Sequence, residues 1–595
     1  MKKCIILILV GLAGGLISCN DEFLERSPDT LITDGGFWKT ENDLKLYINN
    51  FYNQSGFFLQ YTGYNQGPYA EDATAGSDIY ISINYNLKMN GESTLPASGG
   101  GWAAGDWTLL RNVNYFMDHY KQVEASGNSA KQYVGEALFF RSIFYFNKLR
   151  SFGDVPWAST TVTMDSELLF SKRMPRNQVT DSIMHDLDLA VEYLPARAGG
   201  NWTGRVTKET ALALQARIAL YEGTWERYHA KKNTPFKVAG SDGTKLIQKA
   251  ADVAGTLIAL SEANGFPGLS NAGIENGYWL LFNQKDYSNQ KEILFWRKYS
   301  LEDGLYTRRI RYTGTGGSNG LTKSMIDSYL CTDGKPIAVS SLYGGDKNLK
   351  TVVTNRDPRL NQTVRVDDGK HLLWDNPVKY FTLPSFTAIN DQKCVTGYEL
   401  SKGHDPDFAQ FNNETKSTAG TIYFRYAETL LIYAEAKAEL GTITQNDIDK
   451  TINALRKRVG MNNGLLKMND ITPDPDWEFK DLSPLLQEIR RERKVELVCE
   501  GFRVEDLYRW AAIDELIVGK RPLGAVRKQW ENYPGADETF TNAVLTLPVD
   551  DNGYIDPYKG RLNAGFQFDL GRDYLSPIPT TELVLNQNLT QNPGW

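Results

Sequence analysis

Three stretches of this sequence alternate small and large residues at helical spacing, and that pattern narrows the fold more than any other feature. Gly135, Ala137, Phe140, Ile143, Phe144 and Leu149 do so within 130–151, Ala211, Ala213, Ala216 and Ala219 within 208–228, and Ala427, Ala434, Ala436 and Ala438 within 423–440. Small side chains let two helix backbones approach closely, so each stretch predicts a helix packed tightly against another. Such seams mark tetratricopeptide-like helix pairs, although no clean repeat at the tetratricopeptide period is present. Thr40-Glu41-Asn42-Asp43 caps a further helix with Leu44, Tyr47, Ile48 and Phe51 on one face, and helical periodicity returns over 106–123. The predicted class is mainly α: tetratricopeptide-like helix pairs forming a scaffold, with a large loop-rich irregular lobe carrying short strands.

Residues 53–105 dissolve into Gly, Ser, Asn, Asp and Tyr and read as a loop, of the length that in compact proteins is usually functional or disordered. Residues 265–420 are also rich in Gly, Asn, Asp and aromatics, with strand-like pieces at 292–296 and 363–366. The chain divides accordingly into an N-terminal helical region, 19–265, with a binding loop near 53–105, an insertion lobe, 266–420, and a C-terminal helical region with a loop-like tail, 421–595.

Ahead of these stands a leader, 1–18. Lys2 and Lys3 precede an apolar run from Ile5 to Leu16 that is too short to span a bilayer, the form of a signal peptide. Leu16-Ile17-Ser18-Cys19 resembles the lipobox of bacterial lipoproteins, which makes Cys19 the predicted lipidation site and the acylated cysteine a membrane anchor. Each buried acyl methylene contributes about 0.8 kcal/mol, enough for stable attachment with no membrane-spanning helix. Asn20-Asp21-Glu22 looks like the surface-export signal of Bacteroidetes lipoproteins and favours the outer face of the outer membrane. Removing Lys2 and Lys3 with the leader takes the formal net charge from −7 to −9. That balance argues against nucleic acid, which needs a basic face. Cys331, Cys394 and Cys499 show neither paired nor metal-like spacing; a single bridge among them is left open.

Several motifs, in order, make the chain resemble the RagB/SusD family of Bacteroidetes surface lipoproteins over nearly its whole length. They are Gly135-Glu136-Ala137 with Arg141, Tyr145, Phe146 and Phe152-Gly153-Asp154-Val155-Pro156; Gly204-Arg205-Val206-Thr207; Asp333-Gly334-Lys335-Pro336-Ile337; Arg356-Asp357-Pro358-Arg359; Arg425-Tyr426-Ala427-Glu428; Glu492-Arg493-Lys494-Val495-Glu496-Leu497 with Glu500-Gly501, Arg503, Asp506, Arg509 and Trp510; Tyr574-Leu575-Ser576-Pro577-Ile578-Pro579; and Gln591-Asn592-Pro593-Gly594-Trp595. The resemblance implies a non-catalytic binding protein that captures oligo- or polysaccharide and delivers it to a SusC-like TonB-dependent outer-membrane transporter. Its helical face would pack on the transporter and its loop-rich lobe would meet the sugar. Peptide capture, as in some RagB-like relatives, and a surface glycoside hydrolase are the alternatives.

The residues single out no catalytic set. Gly316-Gly317-Ser318-Asn319-Gly320 matches the nucleophile-elbow spacing but follows Gly314-Thr315 rather than a buried strand, which favours a flexible loop. The five histidines form no triad or HExxH pattern. No cofactor is assigned. Asp550, Asp551, Asn552 and Asp556 surround a glycine as in a calcium loop, yet lack EF-hand spacing, so a plain turn is preferred to structural Ca2+. Interleaved Arg490, Arg491, Arg493 and Lys494 with Glu488, Glu492, Glu496 and Glu500 reads as an ion-pair network.

Sugars present C–H faces edged by hydroxyls, so a site for them needs an exposed ring beside carboxylates, amides or Arg. Rings in the loop regions are the candidates. Trp102, in the Ser98-Gly99-Gly100-Gly101 stretch with no helix face to bury it, leads, and the resemblance places binding aromatics in the same loop; Trp107 opens a helix and reads as core. Asp78, Tyr80 and Tyr85 share the loop, and Trp279, Tyr306, Arg311, Tyr312 and Trp374 lie in the insertion.

Overall fold

The computed structural model describes residues 37–595 except 55, 58–67, 125–128, 198–201, 272, 390–391 and 413–416. The leader, Cys19 and Asp21-Glu22 lie outside the described residues.

The scaffold opens on α1 (Glu41–Asn49), whose first turn closes as its sequence demands: the Thr40 hydroxyl accepts from the Asp43 N–H, and the Asp43 carboxylate accepts from the Thr40 N–H at 2.7 Å. There follow α2 (Pro68–Ala75), α3 (Thr108–His119), α4 (Ser129–Phe152), α5 (Arg176–Tyr193), α6 (Lys208–Lys231), α7 (Thr244–Asn264), α8 (Tyr426–Glu439), α9 (Ile452–Arg458), α10 (Pro484–Glu496), α11 (Arg503–Arg509) and α12 (Thr580–Leu585), with further helices of at most eight residues between them. The long helices pack in succession, α4 on α5, α5 on α6, α6 on α7, α7 on α8 and α8 on α10, giving the mainly α, tetratricopeptide-like scaffold.

The small-residue seams carry that packing. Residues 133–146 of α4 are buried on every side, which makes it the central helix rather than an amphipathic surface one. On α6, Ala211, Ala213, Ala216 and Ala219 are buried, as are Ala427, Ala434 and Ala436 on α8. At Gly223 the approach is backbone to backbone: a Cβ there would stand 2.7 Å from the Ile247 nitrogen, so only glycine lets the start of α7 lie against α6.

Among the described residues, six short strands form three antiparallel pairs. The strands are β1 (Tyr80–Ser82), β2 (Ile293–Arg297), β3 (Asn319–Leu321), β4 (Leu372–Asp375), β5 (Val378–Tyr380) and β6 (Thr421–Arg425), paired β1–β3, β2–β6 and β4–β5. The strand expected at 292–296 is β2. The one expected at 363–366 is a single bridge, Val364 to Leu400, flanked by the Arg365 N–H donating to the Glu399 carbonyl at 2.9 Å and the Ser401 N–H donating to the Thr363 carbonyl at 2.7 Å. The loop expected over 53–105 contains α2 and β1. β1 was hidden because its ladder forms with β3, remote in sequence, so no local alternation announces it.

A buried charge network locks the helices to the insertion. Glu496 on α10, fully buried, accepts from Arg359 at 2.9 Å, Arg425 at 2.7 Å and Arg458 at 2.6 Å. Arg425 and Arg458 also reach Glu292 beside β2, and Arg359 and Arg456 reach Glu492. Burial raises the Glu496 pKa, but the three guanidiniums outweigh it and hold the carboxyl well below the usual range. Arg493 pairs with Asp506 and Arg509 with Glu435, partners outside the interleaved run of α10. Cys331, Cys394 and Cys499 are buried free thiols.

The tail, far from being a loose end, returns to α4. Ser576 N–H donates to Ser151 at 2.7 Å, and the Asn592 amide donates to the carbonyls of Phe152 at 3.0 Å and Ser576 at 2.7 Å. Arg173 ties the same turn, donating to the carbonyls of Asp154 and Thr590 and to the Asn592 side chain.

Glu496→Gln leaves three buried guanidiniums short of their shared anion, a loss of about 3–5 kcal/mol for a broken buried pair. Urea unfolding followed by circular dichroism is expected to show that loss; an unchanged midpoint would mean the cluster contributes nothing net.

Candidate functional site

A groove of about 340 Å³ opens where α3, the segment after α4 and α12 converge. Its rings are Trp102, Trp107 and Trp157. Gly99, Gly100 and Gly101 have φ of 79°, 62° and 87°, three successive left-handed residues that only glycine adopts without strain. They turn the chain back on itself and point Trp102 inward. Its ring sits edge-on to Trp107 at 5.3 Å and to Phe152 at 4.8 Å, and only 4% of it is exposed. Trp107 donates its indole N–H to the Trp102 carbonyl at 3.2 Å and is the half-buried ring of the pair. The expectation for these two tryptophans is thus reversed: Trp102 is the support and Trp107 the wall.

Trp157 follows Pro156 out of the turn that ends α4. One face stacks on Tyr145, centroids 4.1 Å apart at 26°, and the Tyr145 hydroxyl accepts the next N–H, that of Ala158, at 2.7 Å, so the indole is fixed while still half-exposed. Leu110, Leu168 and Leu589 fill the groove between the rings. Arg111 on α3 and Glu582 on α12 bring polar ends to it, and neither side chain has a partner among the described residues. Asn586 donates to the Ser171 carbonyl at 3.0 Å, closing the far wall. Lys148 holds the floor: its ammonium stands 4.7 Å over the Trp107 ring and donates to the Gly101 carbonyl. Burial pushes its pKa down to about 8.

The remaining predicted residues do not gather here. Asp78, expected to meet ligand, is buried and bonded to Arg503 at 2.7 Å and Lys494 at 3.0 Å; burial raises its pKa, and those two cations more than reverse the shift. Tyr80 is buried in β1, and burial drives its phenol pKa well up. Tyr85 is half-buried, edge-on to Tyr558 at 6.0 Å. In the insertion, Trp374 is buried against Phe411 at 4.1 Å, and Arg311 stands over the same phenylalanine at 4.9 Å. Tyr312 is buried with its hydroxyl at Arg308, Trp279 is half-buried and donates to the Ser401 carbonyl at 2.9 Å, and Tyr306 is half-buried. Asp78, Tyr80, Tyr312 and Trp374 are therefore corrected from surface candidates to packed or paired residues, because the short strands and helical turns supply the cover that a bare loop lacks.

Asp550 accepts from the N–H groups of Asn552 and Tyr554, at 3.0 Å and 2.9 Å, which closes the segment as a turn, and Asp556 pairs with Arg521 at 2.8 Å. Among the described residues no group of three or more His, Cys, Asp or Glu is placed to hold a metal. Ser318 is followed by β3 rather than by a helix, and its carbonyl accepts from the Ile83 N–H at 2.8 Å.

Sequence reasoning missed Trp157, Arg111, Glu582 and Asn586. Trp157 was within reach, since it directly follows the Phe152-Gly153-Asp154-Val155-Pro156 turn; the tail residues were not, because nothing local says that α12 folds back.

Among known proteins, the model described as "SusD family" matches residues 283–595, and the model described as "Starch-binding associating with outer membrane" matches residues 22–220, a span that carries most of the groove. A SusD-like protein P2 of Formosa agariphila is 24% identical, with 100% of each chain covered. The solved structure of a SusD-like carbohydrate binding protein from Bacteroides fragilis superposes with a TM-score of 0.69 at 21% identity, covering 93% of this chain and 100% of that one. A second SusD-like structure from the same organism gives 0.63 at 22% identity, covering 96% and 100%.

Lys148 links the groove to pH. Its folded pKa near 8 lies below the ordinary 10.5, so the cation over Trp107 is lost as pH rises through 8, while the unfolded chain holds that proton to about 10.5 and stability rises across the interval. Tryptophan fluorescence is expected to titrate with a midpoint near 8 and to lose that component in Lys148→Met; a flat profile in both would remove the interaction.

Proposed function

This chain belongs to the SusD family, and from that membership we propose that it is a non-catalytic glycan-binding lipoprotein of the outer membrane, which captures oligo- or polysaccharide and passes it to a SusC-like TonB-dependent transporter. The observation that carries the reading is the tryptophan-walled groove with Arg111 and Glu582 at its edge. Flat rings meet the C–H faces of a pyranose or furanose, and an unpaired guanidinium and carboxylate take adjacent hydroxyls in bidentate fashion. Outer-membrane association accords with the family description, and Cys19 would supply the tether. Among the described residues no helix is long and apolar enough to cross a membrane.

Affinity electrophoresis of residues 20–595 through a panel of polysaccharides tests this. Wild-type protein is expected to be retarded by at least one glycan, and Trp157→Ala or Trp107→Ala to weaken that binding about tenfold, the ~1.4 kcal/mol of one lost ring contact. Unaltered retardation of both variants by every glycan that holds the wild type would overturn the site. New reducing ends released by purified protein would overturn the non-catalytic reading.

A further inference from the structure

A second cavity lies away from the groove, around Trp477. It has a volume of about 650 Å³ and adjoins another of about 240 Å³; Ser324, Asp327, Asp476, Trp477 and Glu478 line both. Trp477 sits in the segment before α10, and both sides of it are pinned. Asp474 is held by Arg491, and Glu478 by Lys494 and Arg503. Phe479 packs edge-on to Trp510 at 5.5 Å. The indole is therefore presented on a rigid stem, half-buried, and its N–H has no acceptor among the described residues.

The electrostatics restrict what that partner is. Below Trp477 the floor is a closed tetrad: Lys494 and Arg503 each bond both Asp78 and Glu478, two cations against two anions. Such a floor presents no net charge to select an ion. Above it, Asp476 and Lys480 are exposed and their side chains have no partner among the described residues, so an acceptor and a donor stand beside the ring. A half-buried ring, a carboxylate and an ammonium around a charge-balanced floor suit an uncharged polyhydroxylated ligand. Ser77 and Asp78 line this cavity and Trp102 lines the groove, so a single chain segment, 77–102, joins the two.

We propose that the Trp477 cavity is a second binding site for neutral oligosaccharide, separate from the tryptophan groove. This rests on the glycan reading above. Two sites on one chain hold a polymer by two points and raise its overall affinity through effective concentration.

Isothermal titration with a short neutral oligosaccharide cut from the glycan that retards the wild type gives the test. Wild type is expected to titrate at about two sites per chain, with one of the two weakened about tenfold in each of Trp477→Ala and Trp157→Ala. Affinity for the long polymer is expected to fall about tenfold in Trp477→Ala and beyond detection in the double variant. Asp476→Ala, a change at an exposed side chain, is expected to weaken the second site several-fold and serves where Trp477→Ala fails to fold. One site in the wild type, or no effect of Trp477→Ala and Asp476→Ala while Trp157→Ala still weakens binding, would overturn this proposal alone. Absence of binding to every glycan on the panel would overturn both readings. Binding confined to acidic oligosaccharides would overturn the neutral class.

Discussion

Everything else in this molecule is arranged around one carboxylate. Glu496 is buried without access to water, yet it stays ionised because guanidiniums arrive from three separate elements: Arg359 from the insertion, Arg425 from the end of β6 and Arg458 from α9. A lone buried anion is prohibitively costly, and three cations with no anion are worse. The cluster therefore forms only when the insertion, the β2–β6 ribbon and the C-terminal helices are all in place. This makes a hydrophobically seamed helical stack and an irregular lobe into one cooperative object, a task that Ala-on-Ala packing alone does not perform, since it joins only neighbouring helices.

Given that frame, the groove is a product of closure. Its three tryptophans come from the N-terminal half, and its far wall comes from α12 and Asn586. The wall is kept in place by Arg173, which binds the carbonyls on both sides of the 152–154 turn as well as Thr590 and Asn592. Two sequence motifs that read separately, the turn after α4 and the Asn592-Pro593-Gly594-Trp595 run, are thus one structure, each completing hydrogen bonds of the other. Lys148, sharing the floor with Trp107, adds a charge whose state is set by how well the rings exclude water.

The sequence was most legible where the physics is local. Ala and Gly at helical spacing announced α4, α6 and α8, and the Thr40 to Asp43 cap announced α1, because those signals are complete within a few residues. The interleaved Arg and Glu of α10 announced a network though not its partners, since Arg359 and Arg425 lie outside the helix that holds Glu496. What was illegible depended on distant pairing. β1 waits for β3, and Asp78 looked like a free loop carboxylate until Arg503 and Lys494 were set beside it. Trp102 and Trp107 exchanged roles for a subtler reason: a glycine run was read as exposure, whereas three positive φ angles in sequence fold the following residue inward. Trp157 was overlooked because its neighbours explained themselves as architecture, and an architectural turn was not asked what it displays.

The long return of the tail has a bearing on biogenesis. Arg173 and Thr590 meet across 417 positions, and the groove has no far wall until that meeting occurs. A chain that lacks its last residues holds its tryptophans as an open shelf rather than a cleft, so the groove comes into being only when the whole polypeptide has folded.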